Sequence, residues 1–381
     1  MVNSPLSPFL YLRRNAGKTL PLIGVIVLAV LLVAAIISLI NSIPLSIRTI
    51  YSYSSRMLGV GPRGDITLTP KIVETLKEKT PVPLARVSIC RATSAQVRSI
   101  VGKWPFAVLG LAPDDLRYYL RHMDAGKIVG RLPTPGKPEA IVSEPVARNL
   151  GLKIGGVLLK PEDNENYSPK YVKVVGIAQS SQWLMAVDLD YLKAYHFPPI
   201  DIAIAFAKDP AEQDRFDRWA AKEFAGQRAQ IFAYFQIEKQ TNEMFVTLYK
   251  ILNVVIGILV MVITVMMGML INIYQSQRLV EFGLLQALGY TKRQLLRRVL
   301  AETVAVILLG WSLGVGLAYL GLKIIDARLM RPSAFALDPL DPGAFAYTAT
   351  VPVAILLVAF FTVARRFSAY DPVGIVERRL V

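Results

Sequence analysis

A chain of 381 residues with 53% apolar side chains, 19% charged side chains and a mean hydropathy of +0.42 is too hydrophobic for an ordinary soluble protein. Its formal charge of +15 would suggest nucleic acid in a soluble chain, but much of that excess flanks apolar runs and the remainder forms no basic stripe, which excludes that partner. A single cysteine, Cys90, excludes an intrachain disulfide or thiolate cluster, and His122 and His196 stand too far apart for metal-ligand spacing, so no metal site is expected.

Four runs without charge organise the chain. Lys18 to Arg48 encloses 29 uncharged residues, Lys250 to Arg278 27, Glu302 to Lys323 20 and Asp341 to Arg365 23. About 20 apolar residues cross a bilayer as a helix, so spans are predicted at 20–43, 248–277, 299–322 and 344–364. The first run is long for a signal-peptide core and lacks a small-x-small cleavage site, so it reads as an uncleaved span. Basic residues crowd the N-terminal segment 1–19, the connector 278–298 and the tail 365–381, whereas the 323–343 loop is charge-balanced. The positive-inside rule therefore places both termini and the connector in the cytoplasm, in a multi-pass cell-membrane protein, with 44–247 outside.

The outer segment reads as mixed α/β. "DITLT" (65–69) alternates like a strand, and Thr69-Pro70 suits the cap and first turn of the helix "KIVETLKEK". A strand follows near "PLARVSICRAT" (83–93). Towards the far end, "DIAIAFA" (201–207) is a strand, 209–226 a helix opened by Asp209 and stopped by Gly226, and "AQIFAYF" (229–235) a strand. Two such units make a layered subdomain from 44–94 and 201–236, with 95–200 inserted as a second, strand-rich subdomain. Beyond residue 237 the pattern is helical into the second span, and a stalk is expected over 237–247. The fold class is thus four transmembrane helices plus a large α/β extracytoplasmic domain of two subdomains.

The connector "RLVEFGLLQALGYTKRQLLRRVLAE" (278–302) is more ordered than a simple turn requires. Leu284, Leu285 and Leu288 recur at helical spacing, Gly289 is a natural stop, and Thr291 can cap a new helix beginning with Lys292 and Arg293 and continuing through Leu295 and Leu296. Two readings of this elbow stay open on physical grounds: a dock for an acidic partner, or a lipid-facing helix whose cations snorkel to headgroups.

The same stretch resembles the signature of MacB/FtsX-like permeases, the type VII ABC transporter family. Arg278, Glu281, Phe282, Gly283, Leu284, Gln286, Ala287, Leu288, Gly289, Tyr290, Thr291 and Glu302 fall on that pattern in register. "RRNAGKTLPLIGV" (13–25) resembles the family's entry into the first span, "DPVGIVERR" (371–379) its closing segment, and 139–177 its extracytoplasmic core. The resemblance implies a non-catalytic permease subunit that dimerises with itself or a related permease and couples to a cytoplasmic ABC ATPase. The coupling residues would be Arg278, Glu281, Phe282, Gly283, Leu284, Ala287, Gly289, Tyr290, Thr291, Lys292, Arg293 and Leu295. ATP and Mg would be bound by the partner, with no cofactor on this chain. "AGKT" (16–19) lacks the phosphate-loop glycine, since Leu12 stands in its place. Gln286 departs from a position that is basic in many relatives. The spans carry no charge except Lys250 and Glu302 at the rims of the second and third, which fits mechanotransmission to an extracytoplasmic client rather than a polar pore. An alternative from the same fold is an FtsX-like regulator that activates a cell-wall hydrolase. Gly310, Gly314 and Gly316 offer a small-residue face for close helix packing, either within one bundle or between copies.

Overall fold

The structure is a computed structural model and describes residues 16–368. Arg13, Arg14 and the closing "DPVGIVERR" stretch lie outside the described residues. The chain divides into a helical unit and an α/β unit made of Asn41–Val246 and Asp326–Leu337. Helix α1 (Ala16–Ile50) leads into β1 (Leu58–Pro62), α2 (Thr69–Glu78), β2 (Leu84–Ser99) and β3 (Gly102–Leu111). Then come α3 (Pro113–His122), β4 (Lys127–Gly130), β5 (Glu139–Ser143), α4 (Glu144–Leu150) and β6 (Val157–Leu159). They are followed by β7 (Val172–Gln179), β8 (Met185–Asp188), α5 (Leu189–Ala194), β9 (Asp201–Ala207), α6 (Gln213–Glu223) and β10 (Ala229–Phe232). The remaining helices are α7 (Tyr234–Gln277), α8 (Leu279–Ala287), α9 (Lys292–Ile325), α10 (Pro342–Thr348) and α11 (Thr350–Ser368).

All ten strands join one sheet in the order β10-β1-β9-β2-β3-β8-β5-β7-β4, with β6 added on β7. The pairs β3–β8 and β5–β7 are parallel and the others antiparallel. The expected division at 94/95 falls inside β2, which runs unbroken to Ser99 and pairs with β3 as a long hairpin. What divides the unit is its packing. One core gathers Leu58, Val60, Ile72, Leu76, Phe216 and Ala220 under α2 and α6, and a second gathers residues of β2, β3, β5, β7 and β8 with α3, α4 and α5.

Strand β9 shows how one sheet serves two cores. Successive side chains of a strand point to opposite faces. Ala203, Ala205 and Ala207 face α2 and α6, where small side chains let helices approach, while Ile202, Ile204 and Phe206 enter the other core. Being buried on both faces, β9 is apolar from Ile202 to Ala207, after the half-buried Asp201 that pairs with Arg91 at 2.7 Å.

Two local expectations are corrected. "DITLT" is not a strand: the Asp65 carboxylate accepts from Thr67 N at 3.0 Å and Thr67 Oγ1 at 2.6 Å, closing a 3-10 turn over Ile66–Leu68. Thr69 is then the first helical residue of α2 instead of its cap, and its hydroxyl donates to Asp201 O at 2.8 Å. The strand at this edge is β1, "LGVGP", hydrogen-bonded between β9 and β10. Its glycines make room for neighbours, because a Cβ on Gly61 would stand 3.0 Å from Ile202 Cγ2 and one on Gly59 3.3 Å from Phe232 Cβ. The last strand also stops early, at Phe232, and Tyr234 already begins α7.

Among the described residues four helical segments are long and apolar enough to cross a membrane: Thr19–Ile50, Tyr234–Gln277, Lys292–Ser333 and Pro342–Arg365. Helix α7 runs unbroken for 44 residues, about 66 Å at 1.5 Å per residue. In the helical unit, Ile26, Val30 and Val33 of α1 are fully buried. Opposite them a Cβ on Gly310 would lie 3.0 Å from Ile26 Cβ, and one on Gly314 would lie 2.8 Å from Val30 Cβ and 3.3 Å from Val27 Cα. Gly316 is not part of this seam, since nothing lies within 4 Å of its Cβ position. At 100° per residue it sits on nearly the opposite side of α9 from Gly314. Trp311 packs in the same helical unit, its indole N–H donating to Thr348 Oγ1 at 3.1 Å.

Candidate functional site: a latched elbow between two helices

The elbow is built by two terminus motifs in succession. Gly289 has φ +95°, which side-chain-bearing residues rarely adopt. With Gly289 in that conformation, Gly289 N donates to Gln286 O at 2.9 Å and Tyr290 N to Leu285 O at 3.1 Å. This pair of bonds is a Schellman closure of α8. Two residues later Thr291 caps α9. Gln294 Oε1 accepts from Thr291 N at 2.9 Å, and Thr291 Oγ1 accepts from Gln294 N at 3.3 Å, a reciprocal capping box.

Four charged side chains latch α8 onto α9. Arg278 is only 7% exposed and Glu302 only 3%, and they meet through Nη1 and Oε2 at 2.7 Å. Arg278 Nε also donates to Glu281 Oε2 at 2.9 Å. Arg298 Nε donates to the other oxygen of Glu302 at 3.0 Å, and its Nη2 lies 3.8 Å from Glu281. Two cations and two anions thus neutralise one another, which is the condition for keeping charge out of water. The buried Phe282 ring lies beneath Arg278, its centroid 5.1 Å from the guanidinium carbon.

The elbow therefore has two faces. Arg278, Phe282, Gly283 and Leu295 turn inward, so these expected coupling residues present no side chain to a partner. Tyr290 is half-buried, and Glu281 belongs to the latch while remaining partly exposed. Leu284 at 63% exposure and Leu288 at 76% stand outward, with Ala287, Gly289, Thr291, Lys292, Arg293 and Arg297 also exposed. Arg298 was absent from the residues expected to matter. Its spacing four residues before Glu302 on one helix is the signal that would have found it.

A small cavity of about 40 Å³ adjoins the latch, where Thr19, Gln275, Arg278, Glu302 and Thr303 line it among apolar neighbours. Among the described residues no group of three or more His, Cys, Asp or Glu side chains converges as a metal site. His122 has a packing role: its Nε2 lies 3.0 Å from Arg56 O and its ring stacks on Tyr118. Burial holds its pKa below the usual imidazole value.

Four apolar helices of spanning length joined to a ten-stranded α/β unit define a multi-pass membrane protein with a substantial non-membrane unit. Residues 246–371, which carry the elbow, match the family model described as "FtsX-like permease C-terminal", so the chain carries an FtsX-like permease C-terminal domain. No curated protein matches the chain. Among solved structures, similarity is found to the periplasmic region of MacB from Actinobacillus actinomycetemcomitans at 12% identity, covering 52% of this chain and 95% of that one, with a TM-score of 0.29. The extracellular domain of the noncanonic ABC-type transporter YknZ from Gram-positive bacteria is similar at 14% identity, covering 46% and 99%, with a TM-score of 0.26. A domain of a putative permease protein from Porphyromonas gingivalis is similar at 14% identity, covering 47% and 88%, with a TM-score of 0.23.

Proposed function

We propose that this chain is the permease subunit of an ABC transporter, and that a separate cytoplasmic ATPase docks on the α8–α9 elbow. In this reading both termini and the elbow are cytoplasmic and the α/β unit lies on the other side of the membrane. Two permease chains, identical or related, work as a pair. Nucleotide-driven closure of the ATPases moves the elbows, and α7, unbroken over 44 residues, carries that movement out to the α/β unit and its client. ATP and Mg belong to the partner, and the chain itself catalyses nothing.

The observation that carries this reading is the division of labour at the elbow inside an FtsX-like permease domain. Its ionic side chains are mostly consumed in a neutral internal latch, while two leucines and three cations remain outside. Exposed leucines on a short helix ringed by Lys292, Arg293 and Arg297 suit a partner cleft with an acidic rim. The latch makes α8 and the start of α9 move as one piece, as a lever end must.

The test is retention of an ATP-hydrolysing subunit when the full chain is purified from its native membrane. Lys292→Glu combined with Arg293→Glu is expected to weaken retention by about tenfold or more, since close charge pairs at interfaces couple by upwards of 1.5 kcal/mol. Undiminished retention overturns the docking role. Modification of a Lys292→Cys variant by a membrane-impermeant thiol reagent added outside intact cells overturns the orientation.

A further inference from the structure

The α/β unit contains a cavity of about 570 Å³ that the elbow does not involve. We infer that it binds the aliphatic chain of an amphiphile, an inference that rests on the permease reading and names the chemical class of its client. The volume falls within the range of small-molecule sites, and the lining is dominated by apolar side chains. Tyr51, Trp104 and Phe106 contribute aromatic lining, and Ala92 and Ala107 contribute small side chains. Its lining takes residues of β3 from Trp104 to Leu109, and the flexible stem of an amphiphile can follow an apolar lining drawn from several elements.

The mouth argues for an occupant. Tyr167, Ile200, Phe232 and Met244 all line this one cavity and are all substantially exposed, Met244 at 57%. Large apolar groups gathered at a cavity edge in contact with water mark a ligand or partner site. Ile237, Thr241 and Met244 form a stripe at helical spacing on α7. Met244 precedes by six residues Lys250, where the long uncharged run of that helix begins.

Several polar groups of the lining already have partners within the α/β unit. Tyr51 Oη donates to Pro105 O at 2.9 Å, Ser54 Oγ to Tyr51 O at 2.7 Å, and Asn166 Nδ2 to Asp163 Oδ2 at 3.0 Å. The Glu165 carboxylate takes Lys103 Nζ at 3.0 Å. What the cavity offers a ligand is therefore mainly apolar contact.

The experiment uses the full chain in lipid nanodiscs with a monoacylglycerol whose palmitoyl chain bears a diazirine. Photolysis and peptide mass spectrometry are expected to place label on Tyr51, Trp104, Phe106 or Phe232. Met244→Glu, which alters an exposed side chain and spares the fold, is expected to reduce that label by about tenfold, while Ala92→Phe fills the slot and abolishes it. Displacement by a palmitoylated peptide in preference to free monoacylglycerol assigns the chain to a lipidated protein, and the reverse assigns it to a lipid; either supports the inference. Equal label in wild type and Met244→Glu, label confined to 251–277, or equal displacement by the peptide without its acyl chain overturns it. Retention of the ATPase is read in the same preparation. Loss of cavity labelling with the ATPase retained refutes this inference alone, whereas labelling without an ATPase refutes the permease reading.

Discussion

Replacing Glu302 by Gln keeps the shape of the side chain and removes the charge that two arginines share. Glu302 accepts from Arg278 Nη1 at 2.7 Å and from Arg298 Nε at 3.0 Å, and both carboxylate oxygens are used. After the change, Arg278 retains only the partly exposed Glu281 as an anionic partner among these contacts. Removing one member of a buried ion pair costs about 3–5 kcal/mol. Glu281 offsets part of that loss, so the expectation is the lower end, about 3 kcal/mol, or a fall in Tm of roughly 6–12 °C for a unit of this size. The assay is thermal unfolding of the full chain in detergent, followed by helical circular dichroism. The companion double variant, Arg278→Met with Glu302→Leu, replaces the pair by apolar groups of similar volume. It leaves Arg298 and Glu281, 3.8 Å apart, to pair with each other, and is expected to be less destabilised than Glu302→Gln. A Glu302→Gln variant that melts within a degree of wild type refutes the latch, as does a double variant that loses the sum of the two single changes.

Gly314→Val would place side-chain atoms where Val30 Cβ and Val27 Cα already stand, forcing α1 away from α9 at a cost of about 1–3 kcal/mol, read as a lower Tm. Gly316→Ala meets open space and is expected to hold or raise Tm, by up to about 1 kcal/mol from helix propensity; equal effects of the two changes would contradict the seam described above. Asp217 is buried beside Gln213, and burial pushes its pKa up to about 7 from the ordinary 3.8. A raised carboxylate pKa gives stability that is complete below about 4 and lost as pH rises through 7, so Asp217→Asn should raise Tm at pH 8, leave it unchanged at pH 4, and flatten the dependence between them. The ceiling on this effect is about 4 kcal/mol, and an unaltered pH profile in the variant counts against it.

Much of the architecture was legible because membranes and charge obey strong rules. Each charge-free run longer than a bilayer core is expected to be helical, since lipid satisfies no backbone polar group, and all four emerged as apolar helices, the last with a break at Ala349. The elbow was legible for a similar reason, Gly289 and Thr291 being helix-terminus signals set two residues apart. The strands were less so. "DITLT" alternates as a strand does, yet one Asp65 carboxylate closes it into a turn. "LGVGP" has only Val60 as a strong strand former and still lies between two partners, because Ile202 and Phe232 occupy the space its glycines leave.

Sequence alone determined which segments are long and apolar enough to cross a membrane and where one helix must stop for another to begin, because hydropathy and capping act over a few neighbouring residues. The tertiary structure alone decided which way the connector's side chains point. Arg278 and Glu302 are 24 residues apart, and only the folding of α8 back onto α9 brings them within 2.7 Å. Once they meet, burial makes their mutual neutralisation obligatory, and that turns half of a basic sequence motif into an internal latch while leaving Lys292, Arg293 and two leucines at the surface.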